Sequence, residues 1–411
     1  MTEAAEAVEE VARSSYGRLV AYLASVTGDL AAAEDALGDA LVAALATWPE
    51  RGIPERPDSW LLTAARRNLI DAARRRSVAQ AAMPSVALVM EEQSVRLETG
   101  AVPDERLRLM FVCAHPSIAP AMRSPLMLQA VLGLDAARIS EAFLVAPSTM
   151  GQRLVRAKAK IKDARIPFRV PERDELPDRL DAVLDAVYAA YGTGWDDVDQ
   201  LDEARRDLVP ESIRLARLLV ELLPEEPEAH GLLALLLHSH ARHDARRDAT
   251  GAYVPLADQD VALWSRPLIE EGEAHLGLAL AGRRLGPYQL QAAIQSVHNR
   301  RAATGATDWA AIAALYDGLL TIAPTVGTAV ARAAAYRELD CDATALTQLD
   351  ELVGARGASA VAGYQPYWVL RSLCERGTGD AAAADASAQT ALSLTTSPQV
   401  VAHLTTTLGL G

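Results

Sequence analysis

Thr149, Gln152, Arg153 and Arg156 are the residues best suited to read the edges of DNA bases. An arginine fork can hold guanine through two hydrogen bonds or grip a phosphate, and hydroxyl and amide groups beside it add further base contacts. Immediately downstream come Lys158, Lys160 and Lys162, the only lysines in the chain, followed by Arg165. They occur in a chain of 411 residues with formal net charge -14. So much basic charge in one segment points to phosphate neutralisation. The surrounding stretch, DAARISEAFLVAPSTMGQRLVRAKAKI, reads as two helices joined by a tight turn, the pattern of a helix-turn-helix. In its second helix Met150, Leu154, Ala157 and Ile161 are spaced by four, three and four, which predicts one buried stripe. Thr149, Gln152, Arg153, Arg156 and Lys160 then face outward.

A second basic segment is SWLLTAARRNLIDAARRR. Its spacing predicts a buried stripe of Leu62, Ala65, Leu69 and Ala72, with Arg66, Arg67, Asn68, Arg74, Arg75 and Arg76 outside. Elsewhere, His238, His240 and His243 cluster in HSHARHD, and Cys113 precedes His115, but neither set specifies a fourth metal ligand. Both read as structural residues. No phosphate-cradling glycine loop, nucleophile-base order or pair of catalytic carboxylates is present, so no catalytic residue, cofactor or metal is expected.

The elements that must position these groups are helical. The chain is rich in alanine and leucine and 5% aromatic, with almost no alternating β-branched runs. An all-α fold is expected: two small helical domains, the second a helix-turn-helix, followed by a helical-hairpin, tetratricopeptide-like domain. Helices are predicted at 4–26, 30–47, 58–76, 104–114, 121–132, 135–143 and 148–164, with Asp29, Asp58, Asp135 and Ser148 at their starts. The domains are expected at 1–76 and 103–168, joined by a linker at 77–102 that sets the distance between the two basic surfaces. A third, at 172–411, follows a hexapeptide bracketed by Pro167 and Pro171. Its helices come in pairs with a spacing near 35 residues after about residue 285, among them Ser212 to Leu223, Glu228 to Arg242 and Gln259 to Ala281.

Charge divides at the same place. Residues 1–170 carry a net +1 and residues 171–411 a net -15, so DNA contact belongs to the first part and the acidic remainder to protein or solvent. The three cysteines are widely spaced and odd in number, which excludes a disulfide framework and fits a reducing cytoplasm. No export signal opens the chain, and no apolar run reaches the roughly 18 residues of a membrane span.

The two basic segments, in this order, resemble regions two and four of bacterial sigma factors of the extracytoplasmic-function type. GDLAAAEDALGDALVAAL is similar to the helix that docks on core RNA polymerase, and the resemblance implies core contact at Asp35 and Asp39. PDSWLLTAARRNLIDAARRR is similar to the helix preceding the loop that captures a minus-ten base, which implies promoter-facing roles for Trp60, Arg67, Asn68 and Asp71, with Arg74 in the same basic patch. FLVAPSTMGQRLVRAKAKI resembles the minus-thirty-five reading helix. SIRLARLLVELLPEEPEAHGLLALLLHSHAR, PLADQDVALW, GPYQLQAAIQSVH and TDWAAIAALYDGLL resemble the long helical extension of one sigma group, where it is thought to influence activity. Gly38 departs from the glutamine often found in the docking helix. The end of the chain lacks the charged final helix of the extension.

The partners this implies are core RNA polymerase, promoter DNA and a regulatory protein or ligand on the extension, with no membrane. The alternative is a one-component transcriptional regulator with a helical-repeat sensor. It would not need the docking helix or the arginine-ended helix after it. A pure scaffold would leave both basic patches unexplained.

Overall fold

The computed structural model describes residues 3–79, 105–143, 145–172, 175–195, 208–249, 252, 254–282, 284–395 and 398–410. Every regular element among them is helical, and no strand occurs among the described residues. None of these helices is long and apolar enough to cross a membrane. The chain divides into two compact units, residues 1–215 and 216–411.

The first unit opens with α1 (Glu3–Thr27), α2 (Leu30–Arg51) and α3 (Pro57–Ala79). Asp29 starts α2 as its sequence position predicts, its carboxylate accepting the backbone N–H of Ala32 at 3.1 Å. Arg18 of α1 pairs with Asp58 in the first turn of α3 at 3.2 Å. Next come α4 (Arg106–Cys113), α5 (Pro120–Leu132), α6 (Ala136–Ala142) and α7 (Pro147–Asp163). Proline stands at the first turn of both α5 and α7, where its missing N–H costs nothing. Helix α7 therefore begins at Pro147, with Ala146 at the cap position and Ser148 in the first turn, as expected.

Helices α1 to α3 and α4 to α7 share a core. Leu19 through Ala24 are all buried, because α1 is covered by α2 and α3 on one side and by α4 and α5 on the other. The crossing with α5 is so close that a Cβ at Gly17 would stand 1.7 Å from the carbonyl oxygen of Val131. Only glycine fits there. Phe111, Met110, Leu126 and Met127 fill the space beneath. A further helix, α8 (Leu176–Trp195), lies beyond the proline-bracketed hexapeptide yet packs on α4 and α5. Its Leu180, Val183, Leu184 and Val187 are buried, and Arg179 donates to the carbonyl oxygen of Phe111.

The division into units falls within α9 (Leu208–Leu222). In the second unit α10 (Pro227–His240) is enclosed by α11 (Arg266–Ala281) and α12 (Pro287–Asn299), and every residue from Glu228 to Ser239 is buried. The buried Glu228 carboxylate accepts the N–H groups of Tyr288 and Gln289 at 3.0 and 3.1 Å, capping α12 with charge of the right sign. A helix predicted from Gln259 starts instead at Arg266. Before it come two single turns, Leu256–Asp258 and Val261–Leu263, the second capped by Asp260 through the N–H of Ala262. Pro267 then occupies the first turn of α11. Arg301 clasps this loop, donating to the carbonyls of Ala257 and Gln259 at 2.9 Å each and lying over Trp264.

Helical hairpins follow: α13 (Trp309–Ile322), α14 (Val326–Arg337), α15 (Asp342–Arg356), α16 (Gln365–Gly377) and α17 (Ala381–Ser393). Helices α12, α14 and α16 start at residues 287, 326 and 365. The repeat is thus 39 residues, longer than the spacing near 35 read from the sequence. At the end, α18 (Pro398–Thr407) packs against α17, burying Leu404 and Leu408 with Ala388 and Ala391. An apolar helix thus stands where the sequence lacks a charged one.

The candidate metal residues are part of this packing. His238 is fully buried, its Nδ1 within 3.0 Å of the Asn299 amide, and His240 stacks on His243. Burial, assisted by Arg242, lowers the pKa of His238 to about 4, and burial with Arg242 and Arg301 does the same for His298. Both are neutral when folded and take up protons on unfolding. The stability they permit is complete above the unfolded value of about 6.5 and is lost as pH falls from there to about 4. In urea unfolding of the full chain, each should remove about 3 kcal/mol over that window, and His298→Gln should flatten its share. A profile that His298→Gln leaves unchanged would contradict this assignment.

Candidate nucleic-acid and polymerase interface

On α7 the predicted stripe is the one observed: Met150, Leu154, Ala157 and Ile161 are buried. Helices α6 and α7 are consecutive and pack against each other, the two helices of the helix-turn-helix. Gln152, Arg153, Arg156 and Lys160 are exposed and Thr149 is half-buried. The Arg156 Nε donates to the carbonyl of Gln152 at 3.3 Å, which steadies its guanidinium along the helix.

The basic cluster does not act as one surface. Lys158 turns back to α2 and pairs with Glu34 at 2.5 Å, both side chains being nearly buried at 12% and 11% exposure. Lys162 pairs with Asp29 at 2.8 Å. Burial pushes the Glu34 carboxyl pKa up and Lys158 draws it back down, so the lysine is what keeps the charge tenable there. Arg153, Arg156 and Lys160 form the outward basic set on this helix, while Lys162, still exposed, is tied to Asp29.

On α3, Leu61, Leu62, Ala65 and Leu69 are buried and Ala72 half-buried. Arg66, expected outside, is buried at 8% exposure with its guanidinium 5.9 Å from the Tyr22 ring centroid. Its long stem covers apolar surface while the charge rests on an aromatic face. Asn68 is half-buried, its amide donating to the carbonyl of Ala36 at 3.2 Å. That bond ties α3 to the docking helix. Arg67, Asp71 and Arg74 are exposed. The side chains of Arg75 and Arg76 lie outside the described residues. Trp60 is half-buried, its ring 5.6 Å from that of Trp48 in an edge-on contact that fixes the start of α3 against the end of α2.

Asp35 and Asp39 are exposed on α2. Helical spacing adds Val42 to their face, and it is 66% exposed, with Leu45 beside it at 47%. Neither residue is among those expected to contact polymerase, although a valine three residues after Asp39 is the signal. A cleft of about 470 Å³ separates α2 and α3 from α7. Asp35, Asp39 and Asn68 line one wall, and Val155, Lys158 and Ala159 line the other.

Residues 11–78 match the sigma-70 region 2 family, and residues 179–280 match a family of unknown function (DUF6596). An uncharacterized protein of Rhizobium meliloti (strain 1021) is 38% identical over 378 residues, covering 90% of this chain and 88% of that protein. No solved structure matches the chain.

The bundle bearing α2 and α3 is thus a sigma-70 region 2, the part of a transcription-initiation factor that implies binding to core RNA polymerase and promoter DNA. The chain belongs to the extracytoplasmic-function-like sigma factors that carry a C-terminal extension.

If Asp35 and Asp39 meet core polymerase, as the resemblance implies, Val42 shares that contact. Val42→Asp is expected to weaken core binding at least tenfold in a fluorescence titration while leaving the melting temperature within a few degrees. Unaltered affinity would remove this face of α2 from the interface.

Proposed function

We propose that this sigma factor directs core RNA polymerase to specific promoters through two separate DNA-reading surfaces, and that its helical extension modulates the outcome. Residues 1–76 act as region two: Asp35 and Asp39 contact core polymerase, while Trp60, Arg67, Asn68, Asp71 and Arg74 form the minus-ten side. Residues 103–168 act as region four, reading the minus-thirty-five element through Thr149, Gln152, Arg153, Arg156 and Lys160. The observation that carries the reading is the helix-turn-helix with its exposed Gln152, Arg153 and Arg156 in a chain that matches sigma-70 region 2.

Within this reading the minus-ten roles differ in kind. Arg67, Asp71 and Arg74 are exposed and can meet the DNA. Trp60 and Asn68 are held by Trp48 and by the Ala36 carbonyl, and they set the position of α3.

The extension's net charge of -15 disfavours nucleic acid and favours a regulatory protein or ligand as its partner. A truncation that removes the helical array has to retain α8, since its apolar face closes the core of the first unit.

Run-off transcription with purified core polymerase on genomic fragments tests the reading. Specific transcripts should appear only when the chain is added. Arg153→Ala should relax promoter choice by about 1–3 kcal/mol per base contact, whereas Lys160→Ala, a phosphate contact, should weaken all promoters alike. Transcription that ignores both substitutions would remove α7 from promoter recognition.

A further inference from the structure

We propose that α11 is the contact face of a two-fold dimer of this chain, in which the α11 helices of two copies cross antiparallel near Ala279 and Leu280. The proposal does not depend on the promoter-directing reading.

The run from Ala274 to Gly282 reads AHLGLALAG, without one lysine, arginine or carboxylate. With 3.6 residues per turn, such a run is apolar on every side of the helix. A helix that is apolar all round is normally covered all round. Here one side is covered. Gly272, Leu276 and Ala279 are buried, the His238 ring lying against Gly272, where α11 packs on α10 and α12. The outer side carries Ala274, Gly277, Leu278 and Ala281, all exposed. Leu278 is 59% exposed, Leu280 51%, and Leu285, just past the end of the helix, 55%. Three leucines so open within eight residues form a patch, unlike single apolar residues scattered over a surface.

A second copy fits this face. In a two-fold contact the same patch serves both partners, so it has to complement itself. With the axis between Ala279 and Leu280, Leu278 of one copy stands opposite Ala281 of the other, Leu285 opposite Ala274, and Gly277 opposite Gly282. Large side chains then meet small ones, as interdigitation at interior density requires. A Cβ built at Gly277 has nothing within 4 Å, so the second helix has room to come close there.

The charges agree with the same axis. Glu273 and Arg284 flank the apolar run at opposite ends, with side chains 46% and 59% exposed. The two-fold brings Glu273 of each copy beside Arg284 of the other. An unrelated partner would not require the two ends of one run to match each other. The contact is small, however. A helix of 16 residues is about 24 Å long, and one face of it offers less than the roughly 800 Å² per partner of a standard interface. The dimer is therefore a weak one that dissolves on dilution.

Analytical ultracentrifugation of the full-length chain, from about 1 to about 100 μM, is the test. The wild-type mass should rise with concentration from one chain toward two. Leu278→Asp should hold the chain monomeric throughout. Glu273→Arg alone and Arg284→Glu alone should each weaken association at least tenfold, because each places like charges opposite one another. An equimolar mixture of these two variants restores both opposite-charge pairs and should associate as the wild type does. Recovery on mixing also excludes misfolding as the cause of the single effects. A wild-type chain that stays monomeric to 100 μM would overturn the proposal. So would a dimer that survives Leu278→Asp, or a mixture that associates no better than its components.

Discussion

The first unit depends on the crossing of α1 with α5 at Gly17. Because a methyl group there would collide with the Val131 carbonyl, the two helices approach to backbone contact. Helix α1 thereby becomes the shared core of two halves that the sequence separates by a long linker. Leu19 to Ala24 are buried all round as a result. That placement brings α7 beside α2 and creates the cleft in which Asp35 and Asp39 lie.

Polar groups are handled differently in the two units. In the first, charges are set at the seam between helices, where Glu34 and Asp29 receive lysines from α7. In the second, a set of them is buried and joined by hydrogen bonds. Arg242 donates to Asn299 at 2.6 Å and to Gln295 at 2.5 Å, Asn299 bonds His238, and Glu228 caps α12. Buried networks of this kind specify one arrangement of helices. The first unit thus adds ion pairs along α2 and α7 to its shared apolar core, and the extension carries its polar network inside.

The sequence was most legible where spacing is local. The stripe of Met150, Leu154, Ala157 and Ile161 follows from helical periodicity alone, as does the outward placement of Gln152, Arg153 and Arg156. What it concealed depends on partners distant in the chain. Lys158 and Lys160 look equivalent, yet one is bound to a glutamate 124 residues away. Arg66 and Arg67 are neighbours, yet Arg66 is buried over the Tyr22 ring and Arg67 is exposed. Leu180, Val183, Leu184 and Val187 do carry a helical spacing. Their packing on α4 and α5 is masked by the prolines and the change of charge just upstream. The late start of α11 reflects competition between helix propensity and local capping, which Asp260 and Pro267 decide.

Energy transfer between dyes on the two halves of the first unit tests whether α3 and α7 read two separate promoter elements. Ser14→Cys on α1 and Asp163→Cys at the end of α7 place both labels on exposed positions. Replacing the exposed Cys341 with serine confines labelling to them, since Cys113 and Cys374 are buried. Transfer should be high in the free chain and should fall on binding core polymerase and promoter, as the halves separate by tens of ångströms. Equal transfer in the free chain and in an actively transcribing complex would contradict the account.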